Sequence, residues 1–155
     1  MQTIPLPRTE LTVSRLAYGN MTFGSQTMDE EAARILDTGL DRGITFLDTA
    51  NVYNIGKAEE MLGRLLEGRR QGVVLASKVR GRMGEGPLES GLSRAAILHN
   101  VEQSLRRLRT DYLDLYYMHM PDNAVAIEES LEAMDTLVRQ GKVLYVGVSE
   151  WTAEQ

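Results

Sequence analysis

Residues 73–78 read Val73-Val74-Leu75-Ala76-Ser77-Lys78, an almost continuous apolar run that ends in a lysine. A run of this kind, without strict alternation of polar and apolar residues, is typical of a strand buried on both faces of a parallel sheet. Four other short runs have the same character: residues 16–19, 45–48, 113–119 and 143–148. We therefore predict five parallel strands.

Stretches with helical periodicity separate these strands. Their apolar residues recur three or four positions apart, in four sets: Ile35, Leu36 and Leu40; Ala58, Met61, Leu62, Leu65 and Leu66; Ile97, Val101, Leu105 and Leu108; Ile127, Leu131, Met134 and Val138. We predict four helices, with a capping box of Thr27 and Glu30 on the first, Ser93 as the cap of the third and Gly141 ending the fourth. Strands that alternate with amphipathic helices indicate parallel β/α units.

The segments outside these units are few. Residues 4–6 and 11–13 flank the polar Arg8-Thr9-Glu10 and predict a β-hairpin that can plug the floor of a barrel. Residues 81–91 are glycine-rich and predict a long, mobile loop. With no linker or repeat in the sequence, we expect residues 1–155 to form a single domain.

Five β/α units fit either an open doubly wound sheet or a closed eight-stranded barrel. Residues 19–24, Gly-Asn-Met-Thr-Phe-Gly, do not match the glycine fingerprint that usually follows the first strand of a nucleotide-binding sheet, and no P-loop motif occurs. A complete barrel usually needs about 250 residues. A barrel of 155 residues would leave its first and fifth strands as unpaired edges.

Composition excludes several classes of function. The chain is 43% hydrophobic and 25% charged, has a net charge of -5, and lacks any basic run interleaved with aromatics, which argues against a nucleic-acid partner. It has no cysteine, so a disulfide scaffold and a thiolate metal site are excluded. The start of the sequence lacks the pattern of an export signal, and no segment is long and apolar enough to span a membrane. We expect a cytoplasmic protein.

Polar residues with chemical potential follow the predicted strands. Asp48, Lys78, His119 and Ser149 each end an apolar run, and Tyr53 lies in the loop after the second strand. Because the carboxyl ends of parallel strands share one rim, we expect these side chains to converge there. Each residue alone also has a structural interpretation, such as a loop aromatic for Tyr53 or a solvated strand end for Lys78.

Together these residues suit the reduction of a carbonyl group. Hydride delivered to a carbonyl carbon makes an alkoxide, so the site needs a proton donor and a hydrogen-bond donor at one oxygen. Tyr53 can be the proton donor if the Lys78 cation, with Asp48 as its counter-ion, stabilises the phenolate; His119 can be the second donor. No metal is needed. We predict structural roles for the remaining candidates: His99, Asp114 with a buried partner, Tyr112, Tyr116 and Tyr117. Arg80 and Arg82 can either bind a phosphate or be solvated in a mobile loop.

The sequence resembles the aldo-keto reductase family. Four blocks occur in the family's order: Gly43-Ile44-Thr45-Phe46-Leu47-Asp48-Thr49-Ala50 with Tyr53; Ala76-Ser77-Lys78; Tyr112-Leu113-Asp114-Leu115 leading to His119-Met120-Pro121-Asp122; and Gly147-Val148-Ser149. Gly56-Lys57-Ala58-Glu59 and Gly91-Leu92-Ser93 look closest to bacterial reductases that also resemble potassium-channel β subunits.

The resemblance implies a (β/α)8 barrel of the TIM type, here with about five strands and four helices, that reduces aldehydes or ketones with NADPH. It implies Asp48, Tyr53, Lys78 and His119 as the catalytic residues, and contacts to NADPH from Gly19, Met21, Thr22, Asp48, Ser149 and Glu150. Many members have asparagine where this chain has Glu150, and a carboxylate cannot donate as an amide does. Members are roughly twice as long. This implies that the chain is an N-terminal portion: a truncated product, a fragment whose other half is a separate chain, or a half-barrel that pairs its edges with another copy.

Two other classes of function stay open. A non-catalytic binding or regulatory subunit, or an inactive fragment, would keep the same four residues while a partner surface carries the function. A barrel enzyme that forms a Schiff base at Lys78 is the other possibility, although it needs a desolvated amine and the presence of Asp48 and Tyr53 argues against it.

Overall fold

The computed structural model describes all of residues 1–155. A two-stranded antiparallel hairpin comes first, formed by β1 (Thr3–Pro5) and β2 (Thr12–Ser14). Five strands follow: β3 (Ala17–Gly19), β4 (Phe46–Asp48), β5 (Val74–Val79), β6 (Leu113–Met118) and β7 (Val143–Val148). The helices between them are α1 (Asp29–Asp41), α2 (Lys57–Leu65), α3 (Arg94–Leu108) and α4 (Ile127–Arg139), with a short 3-10 turn at Arg70–Gly72.

The five strands form one parallel sheet in chain order, β3-β4-β5-β6-β7. One helix connects each strand to the next. A doubly wound sheet reverses its strand order at a switch point, whereas a barrel adds each strand beside the previous one. The strand order is therefore that of a TIM-type α/β barrel, and the predicted five strands and four helices are confirmed.

Two apolar layers hold the sheet. The larger layer packs the outer face of the strands against the helices, with Leu36, Leu62, Leu75, Ile97 and Tyr116 among its fully buried members. The smaller layer lies on the inner face, where Val13 of the hairpin packs with Val74, Ala76 and Leu115. Successive residues of β5 thus serve opposite faces, as the pleat of a strand requires.

The hairpin closes the floor of this barrel-like sheet, as predicted. The Ser14 hydroxyl oxygen accepts hydrogen bonds from the backbone N–H groups of Thr45 and Phe46, at 3.0 and 3.1 Å, where β4 begins. The rim at the opposite ends of the strands is left free of the hairpin.

Two of the three predicted helix ends are confirmed. The Ser93 hydroxyl accepts from the Ala96 N–H at 3.3 Å at the start of α3, and Gly141 follows α4 with a left-handed φ of 70°. The capping box of Thr27 and Glu30 is wrong. Met28 is the N-cap of α1 and gives no side-chain hydrogen bond, because the Thr27 hydroxyl bonds instead to the hydroxyl of Thr22.

The segment between β5 and α3 contains no helix or strand, as expected for residues 81–91. It is closed on itself by hydrogen bonds from the Met83 N–H to the Glu89 carbonyl, at 2.7 Å, and from the Gly91 N–H to the Arg80 carbonyl, at 3.0 Å. None of the four helices has the length and apolar composition needed to cross a lipid bilayer.

Asp114, a carboxylate inside the β6 strand, has the buried partner that its position requires. Its Oδ2 accepts from the Arg70 guanidinium at 2.7 Å and from the Leu75 N–H at 2.9 Å. The Arg70 side chain is 13% exposed and that of Asp114 is 8% exposed, so this ion pair is largely shielded from water.

Asp114→Asn is expected to lower the free energy of unfolding by about 3 kcal/mol, because it leaves the buried Arg70 cation without a counter-ion. Asp37→Asn is the matched control, since Asp37 pairs with Arg69 on the surface, with side chains 52% and 41% exposed. It should cost at most about 1 kcal/mol. Urea denaturation measures both, and equal losses would contradict the assignment.

Candidate active site

The strand ends bring the predicted site residues to one rim. Asp48 is the last residue of β4, Lys78 is the penultimate residue of β5, and His119 and Ser149 follow β6 and β7. The sheet ladder continues into these positions, because the His119 N–H donates to the Val79 carbonyl at 2.9 Å and the Ser149 N–H donates to the Met118 carbonyl at 3.0 Å.

Lys78 is the centre of the cluster. Its ammonium donates to Asp48 Oδ2 at 2.6 Å, to the Thr49 carbonyl at 2.8 Å and to the Tyr53 hydroxyl oxygen at 3.2 Å. The Lys78 side chain is only 9% exposed. An ammonium has three N–H donors, so every one of them is used, and the solvated strand-end interpretation of this lysine does not hold.

The Tyr53 side chain lies between Lys78 and His119. Its oxygen is the acceptor in the contact with Lys78, which leaves its own hydroxyl proton free for another acceptor. The Tyr53 and His119 rings meet edge to face, with centroids 5.8 Å apart and an interplanar angle of 81°. Three of the four predicted catalytic residues are thus joined by hydrogen bonds, and the fourth packs against them.

The His119 imidazole is held in its neutral form. Burial lowers the pKa of His119 below its ordinary value of 6.5, and the Lys78 cation lowers it further, against smaller opposing effects of Glu150 and Asp48. Its Nδ1 atom is buried and has no hydrogen-bond partner in the chain. A neutral imidazole keeps one N–H to donate without bringing a second cation beside Lys78.

The backbone directly after Tyr53 is strained. Asn54, Ile55 and Gly56 have consecutive left-handed φ values of 50°, 51° and 85°. For a β-branched residue such as Ile55 this conformation is rare, and each such residue costs on the order of 1–3 kcal/mol. The Asn54 amide supports the turn by donating to the Met21 carbonyl at 3.0 Å and the Phe23 carbonyl at 2.7 Å.

The residues predicted to contact NADPH lie on two sides of the cluster. Gly19 pairs with Asp48 in the sheet register, and a Cβ placed on Gly19 would meet no atom within 4 Å, so the space beside Asp48 is open. Met21 is 62% exposed in the following loop.

The remaining predicted NADPH contacts are Thr22, Ser149 and Glu150. Thr22 lies in the same loop as Met21, on the β3 side of the cluster. Ser149 and Glu150 lie on the β7 side, Ser149 half-buried and Glu150 exposed with a left-handed φ of 58°.

Sequence reasoning missed two residues of this rim. Asn20 is fully buried, and neither its Nδ2 nor its Oδ1 has a hydrogen-bond partner, although its backbone N–H donates to the Asp48 carbonyl at 3.1 Å. Tyr117, which we expected only in the core, is paired with Lys78 in the sheet, and burial and then the Asp48 charge raise its pKa. Asn20 could have been predicted, because it directly follows a strand as other site residues do. Tyr117 could not, because it lies inside an apolar run.

The other residues predicted to be structural are so placed. His99 Nε2 lies 3.2 Å from Glu89 Oε1, and Tyr116 is fully buried. Tyr112 lies 4.1 Å under the Arg70 guanidinium. A cavity of about 710 Å³ is lined by residues that include Arg70, Tyr112 and Lys142, where β5, β6 and β7 begin, which is the face opposite the cluster.

The family model described as the aldo/keto reductase family matches residues 15–155, and the chain belongs to that family. The solved aldo-keto reductase AKR11C1 from Bacillus halodurans, in its holo form, superposes with a TM-score of 0.88 at 41% identity, over 97% of this chain and 50% of that one. This likeness confirms the predicted barrel-type fold.

Curated relatives include proteins named as oxidoreductases and as channel subunits. The chain is 44% identical to the uncharacterized oxidoreductase YrpG of Bacillus subtilis, over 97% of this chain and 50% of that protein. It is 41% identical to a probable voltage-gated potassium channel subunit beta of Oryza sativa subsp. japonica, over 100% of this chain and 48% of that protein. The chain thus spans about half the length of the curated relatives it matches.

We expect His119 to give folding a pH dependence. Because its pKa is lower in the folded than in the unfolded chain, its contribution to stability is complete above 6.5 and is lost as the pH falls through the lowered folded value. His119→Gln should flatten this part of the pH profile in urea denaturation.

Lys78→Met should raise the pKa of His119 in an NMR titration, and an unchanged pKa would contradict the electrostatic contribution of Lys78.

Proposed function

We propose that the chain supplies the proton-donating part of an aldo-keto reductase site that reduces aldehydes or ketones to alcohols with NADPH. The observation that carries this proposal is the 3.2 Å hydrogen bond from the Lys78 ammonium to the Tyr53 oxygen, with Asp48 2.6 Å from the same ammonium. Membership in the aldo/keto reductase family supports an oxidoreductase.

Tyr53 is the proposed general acid. Its free hydroxyl proton passes to the carbonyl oxygen of the substrate as hydride reaches the carbonyl carbon, so the product is an alcohol. Negative charge then develops on the Tyr53 oxygen, next to the Lys78 ammonium. Asp48 and the Thr49 carbonyl hold that ammonium in place, so it needs no reorganisation during the reaction.

His119 is the proposed second hydrogen-bond donor to the carbonyl oxygen. Its ring meets the Tyr53 ring edge to face, so both groups can address one oxygen atom. Because burial and Lys78 lower its pKa, the imidazole is neutral and donates a hydrogen bond without competing with Tyr53 as an acid.

NADPH, when bound, would supply the hydride. The space beside Gly19 and Asp48 is open, and Met21 and Thr22 lie in the loop that follows β3. We propose that the Ser149 hydroxyl bonds the carboxamide from the β7 side. Glu150 can only accept a hydrogen bond there, which selects the amide N–H of the carboxamide and not its oxygen.

A Schiff base at Lys78 fits this geometry poorly. An amine that attacks a carbonyl must carry a free lone pair, whereas the Lys78 nitrogen donates three hydrogen bonds and lies 2.6 Å from a carboxylate oxygen. Borohydride trapping of an aldehyde on Lys78 would overturn this argument.

A partner-binding subunit is the second candidate function. Its specific support is that two curated relatives are named as probable voltage-gated potassium channel β subunits. In that role the same cluster would bind NADPH without turnover, in a cytoplasmic protein. Capture of a partner by a chain that binds NADPH but consumes none would favour it.

We also propose that residues 1–155 act as one domain within a larger barrel. Leu144, Val146 and Val148 on the last strand are 40%, 43% and 50% exposed, and Leu16 beside the first barrel strand is 55% exposed. Apolar side chains at strand edges favour pairing with further strands, either of a C-terminal half or of another copy.

Tyr53→Phe is expected to lower NADPH consumption with a reactive aromatic aldehyde by about 10²–10⁴-fold while NADPH affinity changes little. Tyr112→Phe is the matched control, since it removes the same atom at the opposite face. The assay uses the chain alone and a longer chain, to which the half of AKR11C1 that does not align with residues 1–155 has been added. If neither chain consumes NADPH with Tyr53 intact, the reductase proposal is wrong and the partner-binding proposal is favoured.

The chain alone is expected to self-associate as its concentration rises. Sedimentation velocity measures this, and Val146→Glu should weaken the association because it places a charge at the β7 edge. Leu131→Glu on α4, where Leu131 is 46% exposed, is the control for adding a charge elsewhere. A chain that stays monomeric at all concentrations would contradict the exposed-edge proposal.

A further inference from the structure

A buried ion pair lies behind the candidate active site, between α2 and α3. Glu59 of α2 is fully buried, and its two carboxylate oxygens accept from Arg107 Nε at 2.7 Å and from the Ser77 hydroxyl at 2.6 Å. A fully buried carboxylate is uncommon and costly unless it is paired. None of the three residues has a part in the proposed proton transfer.

Ser77 connects this ion pair to the lysine of the site. Ser77 and Lys78 are consecutive in β5, so their side chains point to opposite faces of the sheet. The Ser77 side chain bonds Glu59 on the helical side, while that of Lys78 reaches Asp48 and Tyr53 on the inner side. The Glu59 carboxylate therefore holds the residue next to Lys78.

Arg107 connects the same carboxylate to the strained turn after Tyr53. A Cβ placed on Gly56 would lie 2.7 Å from Arg107 Cδ and 2.9 Å from Arg107 Nε, so the arginine packs directly on this glycine. Gly56 is the last of the three left-handed residues and the N-cap of α2. One arginine side chain thus contacts both the end of the turn and Glu59 within the first turn of the helix.

The backbones of the two helices also approach closely at this point. A Cβ placed on Gly63 of α2 would lie 2.3 Å from the Arg107 carbonyl oxygen, so only glycine fits there. This contact fixes α2 against the end of α3, which keeps the arginine in reach of Gly56 and Glu59. The turn that follows Tyr53 is therefore held from the outer side of the sheet.

We propose that Glu59, Arg107 and Ser77 form a positioning network that holds Tyr53 at hydrogen-bond distance from Lys78. The inference rests on the proposed function, because it concerns the geometry of the same proton donor. Through Arg107 the network holds the segment that carries Tyr53, and through Ser77 it holds the strand that carries Lys78. The three residues do not reach the rim, so they act through Tyr53 and Lys78 and are positioning residues.

A purely structural ion pair and a positioning network differ in their measurable effects. Loss of a structural pair weakens the whole fold, so amide hydrogen exchange rises in every element. Loss of a positioning network releases the strained turn first, because left-handed residues persist only when their surroundings hold them. Exchange should then rise in residues 53–58 and not in β6 or α4.

The experiment compares the full chain with Glu59→Gln and Arg107→Met. The matched control is Glu67→Gln, since Glu67 pairs with Arg109 at 3.2 Å between the same two helical regions but on the surface. We expect exchange of residues 53–58 to rise at least about tenfold in the two network variants and not in the control. We expect kcat to fall about tenfold to a hundredfold, with KM for NADPH within about twofold.

Arg107→Lys should restore much of the protection, because a lysine keeps the charge opposite Glu59. If Glu59→Gln does not fold, Ser77→Ala removes a single donor to the same carboxylate and is expected to raise exchange in the same segment. Unchanged exchange in residues 53–58, or an equal rise in all elements, overturns the network. If both the wild-type chain and the longer chain show no turnover, the reductase proposal alone is refuted, because the exchange measurement still decides the network.

Discussion

The three hydrogen bonds of the Lys78 ammonium are the constraint on which the rest of the site depends. They join the end of one strand, the loop that follows it and the neighbouring strand, and they use every donor that a lysine has. A largely buried cation also sets the state of its surroundings, since it helps to keep the His119 imidazole neutral. Lys78 therefore contributes to both the geometry and, together with burial, the protonation of the cluster.

The parallel sheet brings these residues together through regular strands and short connections. Strands added in chain order place each carboxyl end beside the previous one, so residues far apart in sequence meet without long excursions. The segment after Tyr53 departs from easy backbone geometry, with Asn54 and Ile55 both in left-handed conformations. Strain next to the proposed proton donor is consistent with a site that needs a fixed phenol position.

Local patterns predicted most of the fold and the main residues of the site. Apolar runs and helical periods located the strands and helices, and the polar residues that end apolar runs located Asp48, Lys78 and His119. The failures came from contacts that a local pattern does not contain. Thr27 bonds Thr22 and so does not cap its helix, and Arg107 meets Glu59 across a sequence separation of 48 residues. Neither contact has a spacing that a sequence reading can recognise.

The hairpin that closes the floor has a consequence for the order of folding. Its Glu10 N–H donates to the Tyr145 hydroxyl at 2.9 Å, a contact between residues 135 positions apart in a chain of 155. The hairpin therefore completes its contacts only after β7 is in place. Loop closure over such a separation is slow. We expect the nascent hairpin to wait, with its Val13 side chain uncovered, until the sheet above it has formed.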